Sequence, residues 1–188
     1  MPTFILLIVV IGVLFYSLYS GIIRKKNKAL EAFSGIDVQL KKRADLIPNI
    51  LTLAKKFMEH EKNLLMEITE LRTSVQKLAD AKDPSSVKKR LEIENQLSSK
   101  MGSFFVAVEN YPQLKSDASI VQAQKTYNEV EEHISAARRF YNSAVTVLNN
   151  AVQIFPGNLV AGMLGVQAMT FFEADPGDKK PVMVGDIL

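Results

Sequence analysis

Residues Phe4 to Ile23 run twenty positions without a charge, and Arg24, Lys25, Lys26 and Lys28 follow at once. About twenty apolar residues at 1.5 Å rise each make a helix of roughly 30 Å, the thickness of a bilayer's hydrocarbon core. A basic cluster beside such a run marks the end that stays in the cytoplasm. The run reads as a retained single span rather than a cleaved signal peptide. Only Met1, Pro2 and Thr3 precede it, and it exceeds the roughly 7–15 residues of a signal core. It ends in Ser20-Gly21-Ile22-Ile23 with no small-residue cleavage site, and the chain has no cysteine to carry a lipid anchor. Tyr16 and Tyr19 sit near the basic end, where amphipathic rings favour the membrane interface. The expected topology puts residues 1–3 outside, a span over 4–23, and the rest in the cytoplasm of a bacterial cell, at its inner membrane.

All the charges lie beyond the span, 23 basic against 20 acidic, for a net +3. The excess is the juxtamembrane cluster, which suits anionic lipid headgroups. It is too small for a nucleic-acid partner, and no basic and aromatic residues interleave to suggest one. Zero cysteines exclude disulfides, zinc-thiolate sites and thiol catalysis.

Periodicity makes the remainder helical. From Ile120 the apolar positions step 3, 4, 3, 4, one row being Ile120, Tyr127, Ile134, Tyr141, Leu148 and Phe155. The other is Ala123, Val130, Ala137, Ala144 and Ala151, small enough for a partner helix to approach closely. A sustained 3.5-residue repeat is a narrow coiled-coil-like seam, here ending at Pro156-Gly157. A second helix is expected to open at Pro48, a favoured first-turn residue, and to run to Ala79 with the stripe Ile50, Ala54, Phe57, Glu61, Leu64, Ile68, Leu71, Val75, Leu78. Asp83-Pro84-Ser85-Ser86 breaks it, and a third helix runs through Leu91, Leu97, Met101, Phe104 and Val108 to Tyr111-Pro112. Ahead of Pro48, the spacing Ala29, Phe33, Ile36, Leu40, Ile47 carries the anchor helix onward without a breaker.

The expected fold is all-α. The transmembrane helix continues into an antiparallel up-down four-helix bundle over 24–155, and a short apolar membrane-proximal helix follows over 156–173. An irregular tail closes the chain over 174–188. Leu159–Phe172 carries no charge, includes Gly162 and Gly165, and is too short to span a bilayer. It suits either a fifth helix on the bundle's end or a helix lying on the membrane or against neighbouring subunits, with one face exposed in a lone chain.

Several stretches resemble the LemA family. They are Asn27, Glu31-Ala32-Phe33-Ser34-Gly35-Ile36-Asp37-Val38-Gln39-Leu40-Lys41-Lys42-Arg43, Asp45-Leu46-Ile47-Pro48-Asn49 and Glu59-His60-Glu61, then Glu109-Asn110-Tyr111-Pro112-Gln113-Leu114-Lys115, Arg138-Arg139-Phe140-Tyr141-Asn142, Phe155-Pro156-Gly157-Asn158 and Phe171-Phe172-Glu173. The resemblance covers essentially the whole chain, departing at Phe33, where the family often has tryptophan, and in a tail without the usual final aromatic. It implies a bacterial single-span membrane protein with a helical bundle, and no settled biochemical activity. By the same resemblance, magnetotactic members help build magnetosome membranes, and family genes often neighbour membrane metalloproteases, a partner by analogy alone.

Glu61 is the most unusual candidate, since its stripe is otherwise apolar and a buried carboxylate needs a partner. A structural ion pair, or a hydrogen bond to a tyrosine such as Tyr127, accounts for it; a proton-carrying or binding role is the alternative. Arg43 falls on the first helix's stripe and reads as a tether near the helix end. Asp37, Asp45 and Asn49 bracket the Pro48 turn, Asp45 capping the second helix, with partner recognition as the other reading. Tyr111, Pro112, Tyr141, Gly162 and Gly165 complete the structural or interaction candidates. The histidines His60 and His133 gather too few ligands for a metal, no cofactor motif is present, and Glu129, Glu131 and Glu132 with Arg138 and Arg139 read as a solvated face.

The residues thus point to a non-enzymatic membrane scaffold or adaptor that associates with itself or with other membrane proteins. An extracytoplasmic binding or envelope-stress protein is the reading if the topology is reversed. A membrane-tethered enzyme would need Glu61 to converge with Arg43 or His60.

Overall fold

A computed structural model describes residues 2–78 and 84–172. Among the described residues there are six α-helices and no strand. They are α1 (Pro2–Ala54), α2 (Lys62–Lys77), α3 (Pro84–Val108), α4 (Pro112–Lys115), α5 (Ala118–Gln153) and α6 (Gly157–Leu164), with a 3₁₀ turn at Glu59–Glu61. The expected tail over 174–188 lies outside the described residues. The chain forms two compact units, one of Met1–Gln39 with His133–Leu188 and the other of Leu40–Glu132.

The anchor helix does continue into the folded part. Phe4 to Tyr16 expose their side chains, and from Ile22 a buried row begins with Ala29, Ala32 and Ile36. In the same unit α5 buries Ile134, Tyr141, Val145, Leu148 and Val152, and α6 buries Val160 and Ala161. The repeat is what keeps one face of α5 covered along its length. Phe155, expected to end that row, instead lies beyond the helix and is exposed.

The other unit closes on Ile47, Ile50, Ala54, Met58, Ile68, Leu97, Met101, Phe104, Leu114 and Ile120, all nearly solvent-free. Here α2 and α3 pack along one another, and Lys100 meets Glu67 across them at 2.5 Å.

Pro48 corrects the expected helix boundary, because it sits inside α1, and the turn falls at residues 55–61. A proline in a helix interior lacks the N–H that would serve the carbonyl four residues earlier. That carbonyl belongs to Ala44, and the Arg72 Nε of α2 donates to it at 2.8 Å. The guanidinium replaces the missing partner, so the helix passes through. Arg72→Met strands this partly buried carbonyl and is expected to lower stability by about 1 kcal/mol. In Pro48→Ala the backbone serves itself, so adding Arg72→Met should do less harm there. Equal losses in both backgrounds, read by urea denaturation, would sink this account.

The segment Leu159–Phe172 is helical only to Leu164. Gly165, at φ 62°, takes the left-handed conformation that favours glycine. Its N–H donates to the Gly162 carbonyl, and the Val166 N–H donates to Ala161 at 3.0 Å. This Schellman closure ends α6. At the other end, a Cβ on Gly157 would stand 2.1 Å from the Ala151 carbonyl oxygen, so the tight passage from α5 to α6 requires glycine.

Candidate functional site

The unit of residues 40–132 holds a buried charge cluster on α1, α3 and α5. Arg43 is 1% exposed, and its guanidinium donates to the Glu94 carboxylate, to the Glu94 carbonyl at 3.1 Å and to Glu131 at 2.7 Å. Glu94 is likewise 1% exposed, while Glu131 keeps 28% of its side chain in solvent. Arg90, one turn before Glu94, stands 4.0 Å from its second oxygen. Burial works against the Arg43 charge, but the two carboxylates outweigh it and hold its pKa above the ordinary value. Burial pushes the nearby Tyr127 hydroxyl up, against the lowering effect of Arg43.

Arg43 therefore lies within a helix and not at its end, and it joins three helices. Glu131 belongs to this cluster and not to a solvated face. The signal that could have found Glu131 and Glu94 is the buried arginine itself, which cannot stay charged in a core without carboxylates.

Glu61 sits in the 3₁₀ turn, outside any apolar helical stripe, and accepts a long hydrogen bond from Tyr111 at 3.5 Å. The tyrosine partner is thus Tyr111 in place of Tyr127. Pro112 opens α4. Asp45 and Asn49 are exposed along α1, Asp37 is half-buried on it, and they frame no turn. Asp45 caps nothing, because α2 starts after Glu61 and has no side-chain cap. His60 is exposed. Beside this turn a groove of about 820 Å³ runs between α1 and α2, over Pro48, Leu51, Met58, Leu65 and Met66.

The other unit holds a second polar constellation. Asn149 donates to the Met169 carbonyl and accepts from the Met169 N–H, both at 2.9 Å. Asn142 does the same for Phe172, at 2.9 and 2.8 Å. Tyr141 adds a donation to the Thr170 carbonyl at 3.0 Å. The Phe172 ring packs against Phe33 and Tyr141, centroids 6.2 and 5.5 Å away, with the Arg138 guanidinium 5.5 Å above it.

The two asparagines are one heptad apart, roughly 10.5 Å along α5. Three residues of strap match that span only near full extension, about 3.3–3.6 Å each. Their amides give residues 169 and 172 the main-chain partners that a helix would have supplied, so the chain after Gly165 leaves the helix. Tyr141 is thus a strap contact, Gly165 its starting point, and Gly162 an exposed position on α6.

The LemA family model matches residues 32–185, most of the chain and all of both constellations. This chain belongs to the LemA family. It is also 26% identical over 188 residues to Protein LemA of Metamycoplasma hominis, covering 98% of this chain and 84% of that relative. For this LemA-family chain the implied helical architecture and apolar N-terminal helix are present. One helix, α1, is long and apolar enough to cross a membrane among the described residues.

Proposed function

We propose that this LemA-family protein is a membrane-anchored, non-enzymatic scaffold that organises copies of itself at the bacterial inner membrane. The observation that carries this reading is the exposed apolar run from Phe4 to Tyr16 on a helix whose buried row begins at Ile22. Side chains of that hydropathy facing outward all round belong in lipid. The Arg43 cluster supports the non-enzymatic part, because its charges engage one another within a packed core and present no reactive group to a cleft.

We further propose that the long helices form an up-down bundle with its base at the membrane. Ile22 and Val152 are both buried, and each lies eleven residues from the Phe33–Tyr141 contact, in opposite chain directions. That correspondence supports antiparallel α1 and α5 and sets Ile154 and Phe155 level with Tyr19 and Ser20. The exposed Ile154, Phe155, Leu159 and Met163 then meet the headgroup region. Arg24, Lys25, Lys26 and Lys28 argue for a cytoplasmic domain.

The test is topology in cells. Ser119→Cys, the only cysteine in the chain, should resist a membrane-impermeant maleimide until cells are opened, with the protein staying in carbonate-washed membranes. Labelling of intact cells overturns the orientation and favours the extracytoplasmic reading.

A further inference from the structure

The corner where α5 meets α6 holds large apolar side chains on the outside of a fixed frame. Gly157, Val160 and Ala161 are buried, so α6 cannot roll over to cover its other side. On that side Phe155 is 75% exposed and Met163 78%, with Ile154 and Leu159 exposed beside them. No charged residue stands anywhere from Phe140 to Phe172. Even the exposed polar positions of the corner, Asn150, Gln153 and Asn158, carry neutral amides. A surface facing water intersperses charges of both signs, whereas an exposed apolar patch marks contact with a membrane or a protein.

Depth selects the membrane. The Ile154 N–H still donates to the Asn150 carbonyl at 3.1 Å, so the helical rise of α5 holds to that point. With α1 and α5 antiparallel, Ile154 is level with Ser20, four residues nearer the bilayer centre than Arg24. At 1.5 Å per residue the difference is about 6 Å. Arg24 and Lys25 mark the headgroup level. The corner thus lies at the depth, about 5–10 Å into the boundary of headgroups and acyl chains, where interfacial helices bury their apolar side.

We propose that the α5–α6 corner is a second lipid-binding site, which inserts Ile154, Phe155, Leu159 and Met163 among the upper acyl chains without regard to headgroup charge. This rests on the base-at-the-membrane reading above and names what the corner binds and how. Burial of apolar area drives the insertion, and a charge at this depth would oppose it. With no charge at the corner to read a phosphate, zwitterionic and anionic lipids serve alike. The unit that carries α6 is then held to the bilayer at two points, the span and the corner, which stops it turning about the span.

Nitroxide labels on the full-length chain test this. The protein has no cysteine, so Phe155→Cys and Met163→Cys each take one label, and both positions are exposed, so the label displaces no packed side chain. Leu14→Cys in the span is the lipid reference, and the exposed Ser119→Cys is the water reference. Each variant is reconstituted in phosphatidylcholine vesicles, with and without phosphatidylglycerol. Electron paramagnetic resonance then reads collisions with oxygen, which concentrates among acyl chains, and with a water-soluble nickel chelate.

The two corner labels should behave like position 14 in both lipid mixtures, with nickel collisions several-fold below those at position 119 and oxygen collisions retained. Nickel collisions equal to those at position 119 put the corner in water and overturn insertion, leaving the anchor reading intact while position 14 reads lipid. Protection from both reagents means that protein covers the corner, and overturns the proposal in favour of a contact between copies. A lipid signature confined to vesicles with phosphatidylglycerol overturns the indifference to headgroup charge. A water signature at position 14 overturns the anchor reading itself.

Discussion

Replacing Arg43 with methionine is expected to lower stability by about 3–5 kcal/mol, because it leaves the Glu94 carboxylate buried without its main partner. For a folded part of this size that is a fall of roughly 6–20 °C in melting temperature. Arg90, at 4.0 Å from Glu94, is too poorly placed to replace a guanidinium that makes three hydrogen bonds. The informative comparison is the double variant Arg43→Met with Glu94→Met. It removes both charges from the core and should recover much of the loss, since a buried ion pair and a well-packed apolar pair are often of similar stability. Glu131→Gln should do far less than Arg43→Met, because Glu131 already reaches water. Denaturation of the detergent-solubilised full chain reads all three. A single variant as stable as the wild type, or a double variant worse than the single, would contradict the cluster's structural role.

The second large effect concerns the anchor. Val10→Lys with Leu14→Lys puts two charges into the run at exposed positions. Each lysine at the centre of a span costs about 2.5–3.5 kcal/mol. Together they should shift insertion by a factor on the order of 10⁴. The variant is expected in the soluble or aggregated fraction with the helix content of residues beyond 23 unchanged. Full retention in carbonate-washed membranes would mean that this run is not what holds the protein there.

Much of this was legible in the residues, where a repeat had length to declare itself. The α1 row through Ala29, Ile36 and Leu40 and the α5 row through Ile120, Tyr127, Ile134, Tyr141 and Leu148 are both buried as their spacing predicts. What escaped depended on contacts distant in sequence. Pro48 reads as a helix start because local chemistry says so, and only Arg72, 24 positions away, lets the helix pass. Glu131 looks solvated among its charged neighbours until Arg43, 88 positions away, reaches it. The charge-free stretch to Phe172 looks like one helix, yet Gly165 ends α6 and two side-chain amides supply the backbone's partners afterwards.

That last arrangement works as a vernier. Two scales of different pitch, a helix at 1.5 Å per residue and an extended strap at more than twice that, come into step at Asn149 with Met169 and again at Asn142 with Phe172. The next mark on the helix scale would be Ser135, which carries no amide side chain, and in the other direction α5 stops at Gln153. Every residue of the strap offers the same N–H and C=O, so it is the Phe172 ring, packed against Phe33 and Tyr141, that selects which residues of the strap stand at the two marks.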